Sequence, residues 1–219
     1  MDDALRQNTV AIIDAGIGNT SSLSSAFQKS GVDAITVRDP DRLGSFRLFA
    51  LPGVGNFEAF GRALRQTGLG SEIAALAGLR GNRLLGICVG AQILQSSSEE
   101  SPSAEGLNLI DGRVRKISRE ESNCIPRVGW DFLDFAPSYG SAIEVVDEPS
   151  SQHRFFFSHS FCMNPTNELD VIATCGSAPT VPAVVQQGNL LAIQFHPERS
   201  GHFGQRFLSA FAQGSLSVS

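Results

Sequence analysis

None of the apolar runs among the 219 residues approaches the ~20 needed to cross a bilayer as a helix, so the sequence offers no helical membrane anchor. Positive charge is also in short supply. Against 22 Asp and Glu there are 17 Lys and Arg, and the formal net charge of −5 argues against nucleic acid or an anionic membrane as partner. The four cysteines (Cys88, Cys124, Cys162 and Cys175) have no C-x-x-C spacing, which disfavours zinc. His153, His159 and His202 show no repeated ligand spacing, so no metal is expected. The N-terminal Met1–Asn8 is polar and acidic and lacks the pattern of a signal or transit peptide. It is expected to be a disordered tail (residues 1–8), with free thiols and a cytoplasmic location. There is no internal repeat and no linker long enough to divide the chain, so residues 9–214 read as one domain.

What is present describes a globular α/β protein: 42% of residues are hydrophobic and 18% charged. Strand and helix signals alternate through the first half, which predicts a mostly parallel sheet flanked by helices. Thr9–Asp14, Ala34–Val37, Leu48–Leu51 and Arg83–Ile87 are the expected strands. Helices are expected near Asn19–Lys29, closed by Gly31, after Asn56 as N-cap, and near Ser71–Leu79. From Leu107 onward the chain reads as short strands between turns. Val114–Ile117 and Arg127–Phe135 have polar edges, whereas Phe155–Phe157 and Val184–Gln194 look deeply buried. A final helix spans about Phe203–Phe211. Cys162 and Cys175 are expected to be packing residues, and Cys124 to begin a strand.

Gly86-Ile87-Cys88-Val89-Gly90 follows the apolar Leu84-Leu85, and G-x-C-x-G is the thiol form of the nucleophile elbow, a sharp strand-to-helix turn that lifts a nucleophile out of a sheet. Such a turn puts the sulfur at a helix N-terminus, where N–H groups and the helix dipole favour an anion. Alone, the motif fits a buried structural cysteine equally well. A second motif shifts the balance. Leu190–Phe195 reads as a buried strand that empties into His196-Pro197-Glu198. A cysteine nucleophile needs a base, and the base needs a third group to orient it. At i and i+2, His196 and Glu198 leave an extended chain on the same side.

Pro52-Gly53-Val54-Gly55 is a loop in which the N–H groups of Val54 and Gly55 can turn towards a ligand, with the N–H of Val89 as a further donor. In acyl transfer these form an oxyanion hole. Gly16-Ile17-Gly18 lacks the third glycine of a dinucleotide fingerprint and is read as a tight loop for close backbone approach.

GICVGAQ, PGVG and HPE, in this order and spacing, resemble the class I (triad) glutamine amidotransferases. Gly129-Trp130, Phe157–Phe161 and Gln194–Gly201 bring the resemblance closer to the glutaminase subunit of imidazole glycerol phosphate synthase, over nearly the whole chain. The resemblance implies a flavodoxin-like class I glutamine amidotransferase fold, with an antiparallel extension of the sheet in the second half. It implies a glutaminase in which Cys88 forms a γ-glutamyl thioester, His196 shuttles protons and Glu198 orients His196, with no cofactor. By the same resemblance Gln92, Glu100 and Gly55 bind glutamine. Ammonia passes to a (β/α)₈-barrel cyclase subunit in a heterodimer of histidine biosynthesis, and Asn19, Trp130 and Arg199 are candidate interface residues. The chain departs from the family pattern at Ala15 (usually Tyr), at Arg127-Val128-Gly129-Trp130-Asp131 (commonly HMGWN) and at Phe161 (often Tyr), while Tyr139 is its only tyrosine. These departures leave the triad intact and fall in loops expected near partner and ammonia path. They keep open a paralogous glutaminase feeding a sugar-modifying amidotransferase. From other classes, a standalone cysteine hydrolase and a non-catalytic binding module remain alternatives.

Overall fold

The computed structural model describes residues 8–136, 154–176 and 180–215. Tyr139, His153 and residues 1–7 lie outside these ranges. In the first half, strands β1 (Val10–Ile13), β2 (Ala34–Val37), β3 (Leu48–Gly53) and β4 (Arg83–Cys88) alternate with helices α1 (Thr20–Lys29), α2 (Phe57–Thr67), α3 (Leu69–Ala77) and the single turn α4 (Val89–Gln92). The second half supplies β5 (Arg115–Lys116), β6 (Arg127–Phe135), β7 (Arg154–His159), β8 (Phe161–Cys162), β9 (Val171–Cys175), β10 (Val181–Gln187) and β11 (Leu190–Ile193), then helix α5 (Gly201–Gln213).

Nine strands form one sheet in the order β2-β1-β3-β4-β11-β10-β9-β6-β7. β2, β1, β3, β4 and β11 are mutually parallel, and the remainder extend the sheet antiparallel. Every residue of β1, β3 and β11 is buried, as expected of strands covered on both faces. Helix α2 shows how the sequence sets an element: Asn56 caps it by accepting from the Ala59 N–H at 3.1 Å, and Phe57, Phe60 and Leu64 bury one face. Each of those side chains contributes roughly 1.5–3 kcal/mol by leaving water. Asn19 caps α1 in the same way, accepting from Ser22 at 3.3 Å, and Gly31 follows that helix at φ +78°.

Several expectations are corrected. Val184–Gln194 is not buried throughout: it holds the turn of the hairpin β10–β11, reversed at Gly188 (φ +59°), so that β11 lies parallel to β4. Pro52 and Gly53 are strand, not loop, because β3 continues beside β4 to pair Gly53 with Cys88. β11 stops at Ile193 rather than Phe195, and the helix expected at Ser71–Leu79 runs Leu69–Ala77. Val114–Ile117 shrinks to the two-residue β5, paired with β8. Cys124 is exposed and precedes β6 instead of starting a strand. Of the three phenylalanines in β7, Phe155 and Phe157 point into the core while Phe156 faces the other way and is half-buried, the alternation a strand imposes. Cys162 and Cys175 are buried, as packing residues should be.

Candidate active site

β4 and β11 are neighbours in register, with Ile87 opposite Ile193. Their carboxyl ends therefore deliver Cys88 and the His196-Pro197-Glu198 segment to the same place, where open α/β sheets gather ligands. Cys88 sits at φ +55°, a conformation L-residues rarely adopt, and α4 starts at the next residue. The flanking glycines make this turn possible. A Cβ on Gly90 would stand 1.9 Å from the Leu51 carbonyl oxygen of β3, and one on Gly86 would stand 2.7 Å from the Gly90 oxygen.

His196 is extended (φ −101°, ψ 98°), and Pro197–Arg199 then form a 3₁₀ turn. It is this turn, not a continuing strand, that swings Glu198 back to place Oε1 2.9 Å from His196 Nδ1. The histidine backbone is pinned: its N–H donates to the Phe156 carbonyl of β7 at 2.8 Å, and its carbonyl accepts from the Ser200 hydroxyl at 2.6 Å. Cys88 hydrogen-bonds to the imidazole as well. Burial disfavours the charged ring, but the hydrogen bonds to Cys88 and Glu198 outweigh it and lift the His196 pKa to about 10. The imidazole is thus held ready to be an imidazolium beside a sulfur, the arrangement that activates a thiol nucleophile.

A cavity of about 300 Å³ opens over Cys88. Val54, Gly55, Val89, Gln92, Glu100, His196 and Arg199 all line it, so the residues singled out in sequence converge on one space. Glu100 also caps α2, accepting from the Phe57 N–H at 2.8 Å. The Gln92 amide nitrogen donates to the Phe161 carbonyl (2.8 Å) and to Gln194 Oε1 (3.1 Å). Glu198 lies behind His196 and borders a second cavity of about 270 Å³ between α1 and α5. Trp130 is half exposed, and both it (5.9 Å between rings) and Arg199 (3.7 Å above the ring) pack on Phe156; of the three, Arg199 lines the cavity. Asn19 is occupied as a helix cap.

Two residues went unread in the sequence. Gln194 is fully buried, with its amide nitrogen 3.8 Å from the Cys88 sulfur. His159, in the cavity wall, is held neutral by burial, its pKa lowered to about 4 despite the hydrogen bond to the Phe161 carbonyl. A signal for both existed: each follows an apolar strand run that ends at the site. The departures from the family pattern also find places. Ala15 is buried, the Phe161 carbonyl holds Gln92, and Arg127 and Asp131 pair with each other, so that the first and last residues of RVGWD differ as a unit.

These two histidines set an expectation for stability. His196 binds a proton more tightly folded than unfolded, so its contribution is complete below its ordinary 6.5 and lost as pH rises towards 10. His159 does the reverse: its contribution is complete above 6.5 and lost as pH falls towards 4. Denaturant midpoints measured across pH should therefore peak near neutrality. A midpoint rising steadily from pH 7 to 10 would contradict the His196 assignment.

A family model for the class-I glutamine amidotransferases matches residues 11–213. The imidazole glycerol phosphate synthase subunit HisH of Methanothermobacter thermautotrophicus is 37% identical over 213 residues, covering 93% of this chain and 98% of that protein. The HisH subunit of Chlorobium chlorochromatii is 36% identical over 208 residues, covering 93% and 99%. Among solved structures, a crystal structure of a glutamine amidotransferase superposes with a TM-score of 0.70 at 20% identity, covering 93% of this chain and 98% of that one. The PurLQS structure from Thermotoga maritima superposes at 0.69, also at 20% identity, covering 95% and 96%. These two likenesses establish the shared fold. Among the described residues no helix is long and apolar enough to cross a membrane. With its nucleophile elbow and histidine–glutamate turn on adjacent strand ends, and with relatives matching along nearly its whole length, the chain belongs to the class I glutamine amidotransferase family.

Proposed function

We propose that this chain is the glutaminase subunit of an imidazole glycerol phosphate synthase, with Cys88, His196 and Glu198 as its triad. The observation that carries the reading is the joint delivery of Cys88 and His196 by β4 and β11 to the rim of one cavity. Cys88 thiolate attacks the carboxamide carbon of glutamine, and the oxyanion forms against the N–H groups of Val54, Gly55 and Val89. His196, as imidazolium, passes a proton to the departing ammonia and leaves a γ-glutamyl thioester. It then takes a proton from water, whose oxygen displaces the sulfur to give glutamate. Glu198 fixes the ring through Nδ1 and favours its charged form. Glu100, Gln92 and Gly55 contact the substrate.

The ammonia goes to a (β/α)₈-barrel cyclase subunit in a cytoplasmic heterodimer, where it completes imidazole glycerol phosphate in histidine biosynthesis. The names of the relatives, subunits of that synthase, support this partner. So does the exposed pair Val128 (60%) and Trp130 (52%) on one face of β6, with Arg199 beside the cavity mouth. Asn19, at the start of the helix packed against the Pro197–Arg199 turn, extends the docking face.

The test is glutamate release by the chain alone and after addition of the cyclase subunit with its nucleotide ligand. The expected result is slow hydrolysis alone and a rise of at least about 100-fold in the complex. Full activity without the partner would overturn the coupled-subunit reading. Activity on esters or peptides, but not on glutamine, would identify a standalone hydrolase.

A further inference from the structure

Gln194 follows β11 directly and is 0% exposed. Its backbone N–H donates to the Ala183 carbonyl of β10 at 2.9 Å, which holds the residue against the sheet. Its side chain reaches Cys88, 106 positions away in the chain, with 3.8 Å between the amide nitrogen and the sulfur.

The two ends of a side-chain amide have the same shape, but the neighbours decide which is which here. The Phe161 carbonyl can only accept, so the Gln92 atom 2.8 Å from it is the nitrogen. That nitrogen also lies 3.1 Å from the near end of Gln194, which must therefore be the oxygen. The end turned towards Cys88 is then the N–H donor. Among the described residues this nitrogen has one acceptor, the Cys88 sulfur. Buried donors need partners. A thiol is a weak acceptor, whereas a thiolate is a charged one, and charged groups form hydrogen bonds roughly twice as strong. The contact therefore favours the anion.

The titratable and charged groups around Cys88 are His196 against it, Glu198 behind that ring, and Glu100, His159 and Arg199 in the cavity wall. The strands on either side of β4, β3 and β11, bring none.

We propose that Gln194 is a further catalytic residue, whose side-chain N–H holds the Cys88 sulfur as a thiolate before attack and receives it again when the thioester breaks. The inference rests on the triad reading and deepens it. In the attack the sulfur's electron pair forms the S–C bond, and the hydrogen bond weakens as the charge leaves. In hydrolysis the water oxygen takes the acyl carbon and the S–C pair returns to sulfur. The Gln194 proton stays on nitrogen throughout.

Gln194→Met keeps the length of the side chain and removes the donor. Alkylation of Cys88 by chloroacetamide, a small neutral electrophile, is followed by mass spectrometry across pH, with exposed Cys124 of the same chain as reference. At neutral pH Cys88 of the variant should react at least about tenfold more slowly than the parent's, the scale of one charge-assisted hydrogen bond. In alkaline buffer, where the thiol ionises unaided, the two rates should meet. Equal rates at neutral pH would overturn the proposal. So would a deficit that persists in alkali, since a displaced elbow is slow at every pH. In the active assembly kcat for glutamine should fall with KM nearly level; a rise in KM alone would mean a misplaced Gln92 and would also overturn it.

A second measurement does not depend on how well that variant folds. In the unmodified protein the Gln194 side-chain N–H resonance should move with pH in step with the ultraviolet absorbance of the thiolate, and hold still over the same range in Cys88→Ala. A resonance that ignores the thiolate contradicts the proposal. If Cys88→Ala hydrolyses glutamine as the parent does, the triad reading itself fails. An active enzyme whose Cys88 reacts alike with and without the amide refutes only the role of Gln194.

Discussion

Replacing Cys88 with alanine is expected to lower glutamine hydrolysis at least about 10⁴-fold, the scale on which loss of a triad nucleophile is felt. The expectation rests on position more than on the presence of a thiol. Cys162 and Cys175 are buried and burial pushes both thiols up to about 12, which leaves them as inert hydrophobes at neutral pH. Cys124 is exposed and does not line the cavity, so its alanine variant should keep full activity. Cys88 alone among the four touches a histidine, which in turn is fixed by a carboxylate 2.9 Å away and by backbone bonds at both ends of its peptide unit. Alanine leaves the turn's backbone unchanged, so the melting temperature should move only slightly. Steady-state glutamate release and thermal unfolding of the two variants check this. Residual activity above about 1% in Cys88→Ala would mean that another group does the chemistry.

Gly90→Ala is expected to damage fold and activity together. Its Cβ would lie 1.9 Å from the Leu51 carbonyl oxygen and 3.0 Å from the Gly53 nitrogen. Both belong to β3, which is held between β1 and β4 and cannot recede without breaking either ladder. Nor can α4 move outward, since it begins on the residue after Cys88 and would carry the thiol with it. Overpacking of this kind costs about 3 kcal/mol or more, which for a chain of this size lowers the melting temperature by roughly 6–12 °C. Gly78→Ala is the matched control: a Cβ there meets nothing within 4 Å, and its φ is helical. It should leave melting temperature and activity within error. A Gly90→Ala protein as stable and active as the parent would show that the elbow does not pack as described.

The sequence conveyed most about what is local. Capping by Asn56, the stop at Gly31 and the buried face of α2 were read from periodicity and side-chain chemistry within a few residues, whereas Asn19 was not read as a cap and the outward turn of Phe156 was missed. The two motifs of the candidate site were legible for the same reason, as a cysteine between two glycines and a histidine two residues from a glutamate. What could not be read is what depends on partners distant in the chain. The β10–β11 turn was not read, although Gln186-Gln187-Gly188-Asn189 interrupts the apolar residues there, because which strand pairs with which is not a local property. β3 runs on through Pro52 and Gly53 because β4 beside it is equally long, a fact local pattern does not contain. Gln194 looked like strand, and His159 had no ligand spacing; only the sheet order brings them to Cys88 and its cavity. The pairing of Arg127 with Asp131 is similar, since each reads as an isolated departure until β6 sets them on the same face.

The most direct test of the account is to incubate the protein, in its active assembly, with a glutamine analogue that carries an electrophilic carbon in place of the carboxamide, and then to map the adduct by mass spectrometry. One adduct per chain, on Cys88, with loss of activity in proportion and protection by glutamine, is the predicted result. An adduct on exposed Cys124 with activity retained, or no adduct on Cys88 while glutamine is still being hydrolysed, would contradict it.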